Sequence, residues 1–376
     1  MTPNRRVKGL VYAIGCFATF SACEIAAPPE DEVGGTSDSV TNVSDTERPI
    51  ENASDIDVPD DQISHEAEWK RDISSTDDTP DLKDAEVSLY IPGGVSEARG
   101  VLIFSYNGVG TWEYEHEVWR ASAASHGYAM LHIVLTDIHD RVAPWEFPEQ
   151  SARFIYRILD TMAQISNHTE LESAPLFFFG HSAGGFWFTR LVPQLTERAV
   201  GFIAFHGSMS SDELFFPSAL SVPGLFLVAE YDPIWIRTDT FEIVNTGFEK
   251  GALWSLVVEP DAGHWDVDPG RRLMVEFVET VFQFRVPPTS GADGERDSLS
   301  AVPEKDIRLG QLAHHSVYDG DEEFEDSGRE VITAASILPQ QTETTTSSSG
   351  SRLISQTFAE SWLAYELTGT QSIDSK

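Results

Sequence analysis

Short continuous apolar runs recur along the middle of the chain, separated by segments whose apolar residues recur at helical spacing. A run of about four to eight apolar residues is typical of a strand buried on both faces, and a spacing of three to four is typical of an amphipathic helix. The runs predict strands at Glu86–Ile91, Val101–Tyr106, Tyr128–Leu135, Leu176–Phe179, Val200–Phe205, Leu225–Ala229 and Leu253–Val258. The periodic segments predict helices at Trp112–His126, Pro148–Ser166, Gly184–Leu195, Thr238–Lys250 and Arg271–Phe284.

This regular alternation of strands and helices predicts an α/β fold with a mostly parallel sheet covered by helices on both faces. Ligands of such sheets bind beyond the carboxyl ends of the strands. We therefore expect functional residues in the segments that directly follow the predicted strands.

The two flanks differ from this middle region in composition. Residues 24–80 carry 17 acidic against 3 basic residues, and residues 287–376 carry 16 against 6. Charged segments with few apolar residues cannot offset the entropy of an ordered chain. The composition predicts a disordered acidic tether at 24–80, a catalytic domain at 81–286 and an acidic, Ser/Thr-rich tail at 287–376. We expect that tail to be mostly disordered, with a short helix at Leu353–Leu367 as the less favoured alternative.

The first 23 residues have the plan of a secretory signal peptide, with basic residues before an apolar run that ends at Phe20. The end of this run, Phe20-Ser21-Ala22-Cys23, resembles the lipidation motif of bacterial lipoproteins, in which the cysteine carries the lipid. Cys16 is a poorer candidate for lipidation. The resemblance implies an exported protein anchored to a membrane only through a lipid on Cys23. An ordinary cleaved signal peptide, which would give a secreted protein, and an uncleaved anchor are the alternatives.

Charge and cysteine content exclude several classes of function. The net charge of −36 would repel a polyanion, which argues against a nucleic-acid partner. Both cysteines, Cys16 and Cys23, lie in the leader, so the rest of the chain has no thiol for a disulfide, a nucleophile or a metal. The sequence contains neither an H-E-x-x-H zinc motif nor a phosphate-binding loop. We expect no metal and no cofactor, and the sequence does not predict an oligomeric state.

The segment after the strand Leu176–Phe179 reads Gly180-His181-Ser182-Ala183-Gly184-Gly185 and precedes a predicted helix. This is a G-x-S-x-G motif between a strand and a helix, the setting of a nucleophile elbow. Glycines allow the tight turn that lifts the serine hydroxyl above the sheet. The motif predicts that Ser182 is the nucleophile of a serine hydrolase.

A serine hydroxyl needs a base to remove its proton and an acid to orient that base, and in this kind of fold the acid and the histidine follow the serine in that order. Asp232, after the strand Leu225–Ala229, is the predicted acid, with Glu230 and the more remote Asp212 as alternatives. His264, after the last strand, is the predicted base. His206 also follows a strand, but only Asp212 among the acids could accompany it.

Two backbone N–H groups must stabilise the negative oxygen of the tetrahedral intermediate. Ala183, directly after the nucleophile, is predicted to supply one. The loop Asn107-Gly108-Val109-Gly110-Thr111 resembles the H-G-x-G-type loop of esterases, with Asn107 in place of the usual histidine. We expect Val109 to supply the second N–H, with Gly108 as the alternative.

Residues 86–285 resemble an α/β-hydrolase of the compact dienelactone hydrolase and esterase type. The resemblance is carried by the segments YNGVG, GHSAGG, EYD and DAGHW, in the order of that family. It implies a three-layer fold with a mostly parallel central sheet, and the short link Gly207–Gly224 leaves no room for a sizeable cap domain. It also implies an acyl-enzyme in which Ser182 attacks, His264 transfers the proton and Asp232 stabilises the imidazolium.

A site without a cap favours small-molecule or polymer-borne esters over interfacial lipolysis. Trp112, Trp145, Trp235 and Trp265 lie beside the predicted catalytic loops, where aromatic walls suit sugar rings or aromatic acyl groups, or simply pack the loops. A peptidase, thioesterase or transferase of the same fold remains an alternative, as does a catalytically silent surface binding protein. A dinucleotide site is disfavoured because Glu113 stands where the third glycine of G-x-G-x-x-G would lie.

Overall fold

The computed structural model describes residues 67–79, 82, 84–105, 109–135, 143–287, 298–317, 329–338 and 349–368, all within one compact unit. The predicted leader with Cys16 and Cys23, and most of the predicted tether, lie outside the described residues, so export and lipid attachment stay predictions. None of the helices in the described ranges is long and apolar enough to cross a membrane.

The strands are β1 (Ala67–Ile73), β2 (Ala85–Ile91), β3 (Val101–Ser105), β4 (Ala129–Leu135), β5 (Leu176–His181), β6 (Ala199–Phe205), β7 (Gly224–Ala229), β8 (Trp254–Glu259), β9 (Arg308–Val317), β10 (Arg329–Leu338) and β11 (Ser349–Leu353). The α-helices are α1 (Val109–Glu115), α2 (Glu117–His126), α3 (Pro148–Ser166), α4 (Ala183–Leu191), α5 (Pro217–Leu220), α6 (Ile234–Glu249), α7 (Arg271–Arg285) and α8 (Gln356–Thr368).

The first eight strands form one sheet in the order β1-β2-β4-β3-β5-β6-β7-β8. β2 is antiparallel to both β1 and β4, and the strands from β4 to β8 are mutually parallel. Every residue of β3, β5, β6, β7 and β8 is buried, as expected for strands covered on both faces. The predicted α/β fold with a mostly parallel central sheet is therefore confirmed.

The order of the strands explains the two helical layers. The chain moves from β3 to β4 in one direction across the sheet, and from β4 through β8 in the other. Because crossovers between parallel strands are right-handed, a reversal of direction places the helices on opposite faces. Accordingly α2 packs against α7, whereas α3 packs against α4. Helices on both faces of the sheet exclude water from its strands.

The connection between β6 and β7 is short, as predicted. It contains one 3₁₀ turn (Glu213–Phe215) and the four-residue helix α5. No cap domain is inserted at this point of the described chain.

The predicted helix Trp112–His126 is two helices in the structure. α1 ends at Glu115 and α2 begins at Glu117. His116 between them has extended backbone angles, and its Nδ1 accepts a hydrogen bond from Val118 N–H at 3.2 Å. The side chain thus caps the start of α2 in the way that Asn or Asp does elsewhere.

The prediction of a disordered tether as far as residue 80 is wrong for its last part. Residues 67–73 form β1, which pairs along its whole length with β2. Four of its seven side chains are charged and exposed, because an edge strand faces solvent on much of its area. The charged composition of this segment did not indicate a strand, because the segment is held by backbone pairing with β2 rather than by burial of its side chains.

The prediction of a mostly disordered tail is also wrong for the described part of residues 298–368. β9, β10 and β11 form a three-stranded antiparallel sheet, and α8 packs against α7 and β8. We call these three strands and α8 the C-terminal module. Its buried residues include Leu353, Phe358 and Trp362, each with no exposed surface. The acidic run Asp319–Asp326 lies outside the described residues.

The C-terminal module covers the free edge of the large sheet. Leu256 N–H of β8 donates to Ser351 Oγ at 3.0 Å, and Val258 N–H donates to Glu366 Oε1 at 3.2 Å. Trp362 Nε1–H donates to the carbonyl of Leu256 at 2.7 Å. Side chains thus form the hydrogen bonds that a neighbouring strand would otherwise form with the backbone of β8.

Removal of the Trp362 side chain should destabilise the whole domain. The ring is fully buried and also bonds the edge of β8, so Trp362→Ala is expected to lower the free energy of unfolding by about 3–5 kcal/mol. Leu367→Ala on the same helix is the control, because Leu367 is 60% exposed. Urea unfolding followed by tryptophan fluorescence or circular dichroism measures both. Equal stability of the two variants would contradict the proposed packing of the module.

Candidate active site

Ser182 lies in a sharp turn between β5 and α4. Its backbone angles are φ 53° and ψ −118°, a conformation that non-glycine residues rarely adopt. The turn also needs close backbone contacts: a Cβ on Gly180 would lie 2.3 Å from the carbonyl oxygen of Gly184, and one on Gly185 would lie 2.0 Å from that of Gly207. The glycines of the motif therefore permit the turn that presents the Ser182 hydroxyl at the carboxyl end of the sheet.

Three side chains form a hydrogen-bonded chain at this end of the sheet. His264 Nδ1 lies 2.6 Å from Asp232 Oδ1, and His264 Nε2 lies 3.0 Å from Ser182 Oγ. A carboxylate only accepts hydrogen bonds, so Nδ1 carries the proton and Nε2 is left to accept the serine proton. The structure thus brings together the predicted nucleophile, acid and base in the arrangement that activates a serine.

Asp232 is held as an ionised acceptor. Its side chain is buried, and its Oδ2 accepts a hydrogen bond from Ala229 N–H at 2.7 Å. Burial favours the neutral carboxyl, but the charges of His206 and His264 and the hydrogen bonds from His264 and Ala229 outweigh it and lower the pKa of Asp232. An ionised Asp232 stabilises the imidazolium that His264 becomes when it accepts a proton.

The two alternative acids lie elsewhere. Glu230 Oε2 accepts a hydrogen bond from Asp261 N–H at 2.8 Å and so supports the loop after β8. Asp212 precedes the 3₁₀ turn, where its carbonyl accepts a hydrogen bond from Phe215 N–H. Asp232 is the carboxylate that the structure places on the histidine.

The two predicted oxyanion donors each begin a helix at the same edge of the sheet. Ala183 is the first residue of α4, and Val109 is the first residue of α1. α1 follows β3 and α4 follows β5, and these neighbouring parallel strands pair Ser105 with Gly180. Both N–H groups therefore come from segments that leave the sheet beside each other. The alternative donor Gly108, and Asn107 before it, lie outside the described residues.

Two buried histidines contact the backbone of His264. His181 Nε2–H and His206 Nδ1–H donate to the carbonyl oxygen of His264, at 2.8 and 2.9 Å. Burial, together with the neighbouring His206 and His264, lowers the pKa of His181 to about 3, so its ring is neutral. His206, the alternative base, therefore bonds the main chain of His264 rather than the nucleophile.

The other ring nitrogen of His206 faces a carboxylate. Its Nε2 forms a short hydrogen bond to Glu259 Oε2, and both side chains are fully buried. Burial opposes a charge on His206, but Asp232, Glu259 and the two hydrogen bonds raise its pKa to about 9. Burial raises the pKa of Glu259, while the charge of His206 and its hydrogen bond act to lower it. With His206 protonated, the two side chains form a buried ion pair directly beneath the loop that carries His264.

One nitrogen from each of His181, His206 and His264 lies within 4.8 Å of the others, a spacing that a metal ion could use. The hydrogen bonds of the three rings give these nitrogens another role. Two donate to the same carbonyl oxygen, and the third joins Ser182 to Asp232. These nitrogens therefore already act as donors and acceptors within the protein.

Reasoning from the sequence missed His181 and Glu259 as residues of the site and considered His206 only as a base. All three lie at, or directly after, the carboxyl end of a strand: β5, β6 and β8. A buried polar residue at that edge was the available signal, because this is where parallel sheets place their functional groups.

A cleft of about 660 Å³ adjoins the loop that carries His264, although Ser182, Asp232 and His264 do not line it. Trp112 and Trp265 line it and are 54% and 61% exposed, and the Trp265 ring centroid lies 5.2 Å from that of His264. Asp261, Asp266, Asp268 and Arg271 also line the cleft. The guanidinium of Arg271 bonds Glu113 and Asp268, so the cleft presents mainly aromatic and acidic groups.

The other two tryptophans contact Phe186 of α4. Their ring centroids lie 5.7 Å (Trp145) and 5.8 Å (Trp235) from that of Phe186. Trp235 is nevertheless 42% exposed, so it both packs and faces solvent.

No family model matches the chain, and no curated protein matches it. Among solved structures it is similar to a thermostable esterase, with 14% identity over 59% of this chain and a TM-score of 0.42. The alignment spans 63% of that esterase, less than two thirds of its length.

The chain is also similar to the dienelactone hydrolase from Anabaena variabilis, with 19% identity, coverage of 58% of this chain and 98% of that one, and a TM-score of 0.39. The siderophore hydrolase from Aspergillus nidulans gives 13% identity, coverage of 61% and 99%, and a TM-score of 0.42. Similarity at this level identifies no substrate.

Stability should fall as the pH rises from 6.5 to 9. Folded His206 keeps its proton up to a pKa of about 9, whereas the unfolded chain releases it near 6.5. Its stabilising contribution is therefore complete below pH 6.5 and is lost as the pH rises through 9. Urea unfolding at pH 6.5, 8 and 9.5 should show a decline that is shallower in the double variant His206→Asn/Glu259→Gln, by roughly 1 kcal/mol per pH unit. Parallel declines in the two proteins would contradict the assignment.

Proposed function

We propose that the protein is a serine hydrolase that cleaves carboxylic esters through an acyl-enzyme intermediate. The observation that supports it best is the hydrogen-bonded chain from Ser182 through His264 to the buried Asp232. A hydroxyl held this way, in a strained turn at the start of a helix, has the base and the electrostatic support that nucleophilic attack requires.

In the first half-reaction Ser182 Oγ attacks the ester carbonyl carbon while its proton passes to His264 Nε2. The carbonyl π electrons move onto the oxygen, which the N–H groups of Ala183 and Val109 stabilise. As the tetrahedral intermediate collapses, the bond to the alcohol oxygen breaks and His264 returns the proton to it. An acyl-serine and a free alcohol result.

In the second half-reaction water takes the place of the alcohol. His264 Nε2 accepts a proton from the water, whose oxygen attacks the acyl carbon, and the proton then returns to Ser182 Oγ as the acid leaves. Asp232 stays ionised throughout and stabilises the imidazolium in both halves.

The residues around the candidate site favour a substrate that contains a sugar or aromatic ring and that reaches the site directly from solvent. The short connection between β6 and β7 carries no cap domain, and Trp112 and Trp265 offer exposed aromatic faces near His264. Sugar and aromatic rings pack on such faces. The carboxylates of the cleft repel an anionic group. We therefore propose neutral small-molecule or polymer-borne esters of sugars or aromatic acids as substrates.

Ser182→Ala should abolish ester hydrolysis. We expect wild type to hydrolyse nitrophenyl esters of short acids and the variant to lose at least about 10⁴-fold in kcat, because no other group can form the acyl-enzyme. Ser208→Ala is a matched control, since this buried serine bonds Thr240 on α6. Full activity in Ser182→Ala would refute the mechanism. A wild type inactive on every ester but active on thioesters or peptides would change the substrate class.

Asp232→Asn should lower kcat by about 10³–10⁴-fold, because an amide can donate to His264 and so favours the wrong tautomer of the imidazole. Glu230→Gln is the matched control: its amide oxygen can still accept from Asp261 N–H. We expect the control to stay within about threefold of wild type. Steady-state kinetics on one nitrophenyl ester compares the two. A larger loss in Glu230→Gln than in Asp232→Asn would assign the acid to Glu230.

A further inference from the structure

The carbonyl oxygen of His264 is held from below by two imidazole N–H groups. His181 lies at the end of β5 and His206 directly follows β6, and both donate to this oxygen within 2.9 Å. His264 itself lies in the loop after β8. The backbone of the general base is therefore tied to two other strands of the sheet by side chains outside the hydrogen-bonded chain of Ser182, His264 and Asp232.

The hydrogen bonds of His206 indicate which of its ring nitrogens carry protons. A carbonyl oxygen only accepts, so Nδ1 carries a proton. Nε2 shares a second proton with the carboxyl of Glu259, and neither side chain has any exposed surface. A buried ion pair of this kind is costly to disrupt, since removal of one partner leaves an uncompensated charge.

Glu259 is itself fixed by its surroundings. Its Oε1 accepts a hydrogen bond from Tyr365 of α8 at 3.4 Å. A Cβ on Gly270, just before α7, would lie 2.2 Å from the same oxygen, so the carboxyl packs directly on the backbone there. The pair of His206 and Glu259 therefore contacts both the C-terminal module and the end of the loop that carries His264.

The rest of the loop is bonded before and after His264. Asp261 N–H donates to Glu230 Oε2 at 2.8 Å, and the carbonyl of Ala262 accepts a hydrogen bond from Tyr231 N–H at 3.0 Å. Gly263 N–H is bonded within the loop, by Asp266 Oδ2 at 2.8 Å. The two imidazole N–H groups add a direct anchor for the main chain at His264 itself.

We propose that His206 and Glu259 are positioning residues for the candidate reaction: their buried ion pair anchors the main chain of His264 and keeps its imidazole between Ser182 and Asp232. This proposal rests on the proposed function. Displacement of a catalytic group by about 1 Å can cost two orders of magnitude in rate, so such an anchor acts on kcat.

The charges around His206 agree with this role. Asp232 faces it from the loop after β7 and Glu259 from the end of β8. The neutral His181 and the ring of His264 lie beside it, and Tyr365 and Glu366 of α8 interact with Glu259. The positive end of the ion pair therefore faces the site. There it favours an ionised Asp232.

Three variants of the full chain test the proposal by steady-state kinetics from pH 5 to 9. His206→Ala should lower kcat by about 100-fold, with KM changed less than about threefold. His206→Asn should recover about tenfold of that loss, because its amide can donate where Nδ1–H lies and Asn tolerates the φ of +50° at this position. Glu259→Gln removes the charge but keeps the shape. It should lower kcat in the same direction as His206→Ala, with KM changed less than about threefold, because the imidazole of His206 loses its charged partner.

His168→Ala is the matched control. His168 forms a second partly buried pair with Glu170, at 2.7 Å, beside α3. We expect kcat and the pH profile of this variant to match wild type. A general effect of losing a histidine pair would appear at both sites, whereas a fall in kcat at nearly constant KM, with partial rescue by Asn, is expected only at His206.

The outcomes separate the two proposals. If wild type hydrolyses esters and Ser182→Ala does not, but His206→Ala and Glu259→Gln keep wild-type kcat and pH profiles, the positioning role is refuted. If wild type hydrolyses no ester, the proposed function fails and nuclear magnetic resonance decides the positioning role. The Nδ1 proton of His264, bonded to Asp232, should give a low-field signal in wild type that is lost in His206→Ala. An unchanged signal would overturn the proposal.

Discussion

The hydrogen bonds among Ser182, His264 and Asp232 exist only because three parallel strands end at the same edge of one sheet. Ser182 follows β5, Asp232 follows β7 and His264 follows β8, so more than eighty residues separate the nucleophile from the base. The register of β5 through β8 places the ends of these strands beside each other. Distances of 2.6 and 3.0 Å then follow from short loops that leave a rigid, buried sheet.

Buried charge is concentrated beneath this edge. Asp232, His206 and Glu259 have almost no exposed surface, yet each has a charged or hydrogen-bonding partner. Groups buried in this way are rigid, because loss of one partner exposes the full cost of desolvating the other. The site is thus preorganised by interactions that also contribute to the stability of the fold.

The C-terminal module connects the edge of the sheet to the site. Ser351 and Glu366 bond the backbone of β8, and Tyr365 bonds the carboxyl of Glu259 at its end. An uncovered β8 would be an open edge next to the loop of His264. The module therefore protects the strand that leads into the loop of His264.

Local sequence patterns predicted most of the central sheet and the residues of the candidate site. Apolar runs predicted the central strands, and the setting of Ser182 in a strand–turn–helix, with Asp232 and His264 after later strands, predicted the triad residues that the structure brings together. Only the tertiary structure shows that β1 and the C-terminal module are folded, because their charged sequences are held in place by pairing with β2 and by packing on β8. It alone decided the partners of His206 and Glu259, since 53 residues separate them and no local signal links a histidine after β6 to a glutamate at the end of β8. Sequence periodicity reports which face of an element is buried; which polar groups meet across the sheet depends on strand order and register.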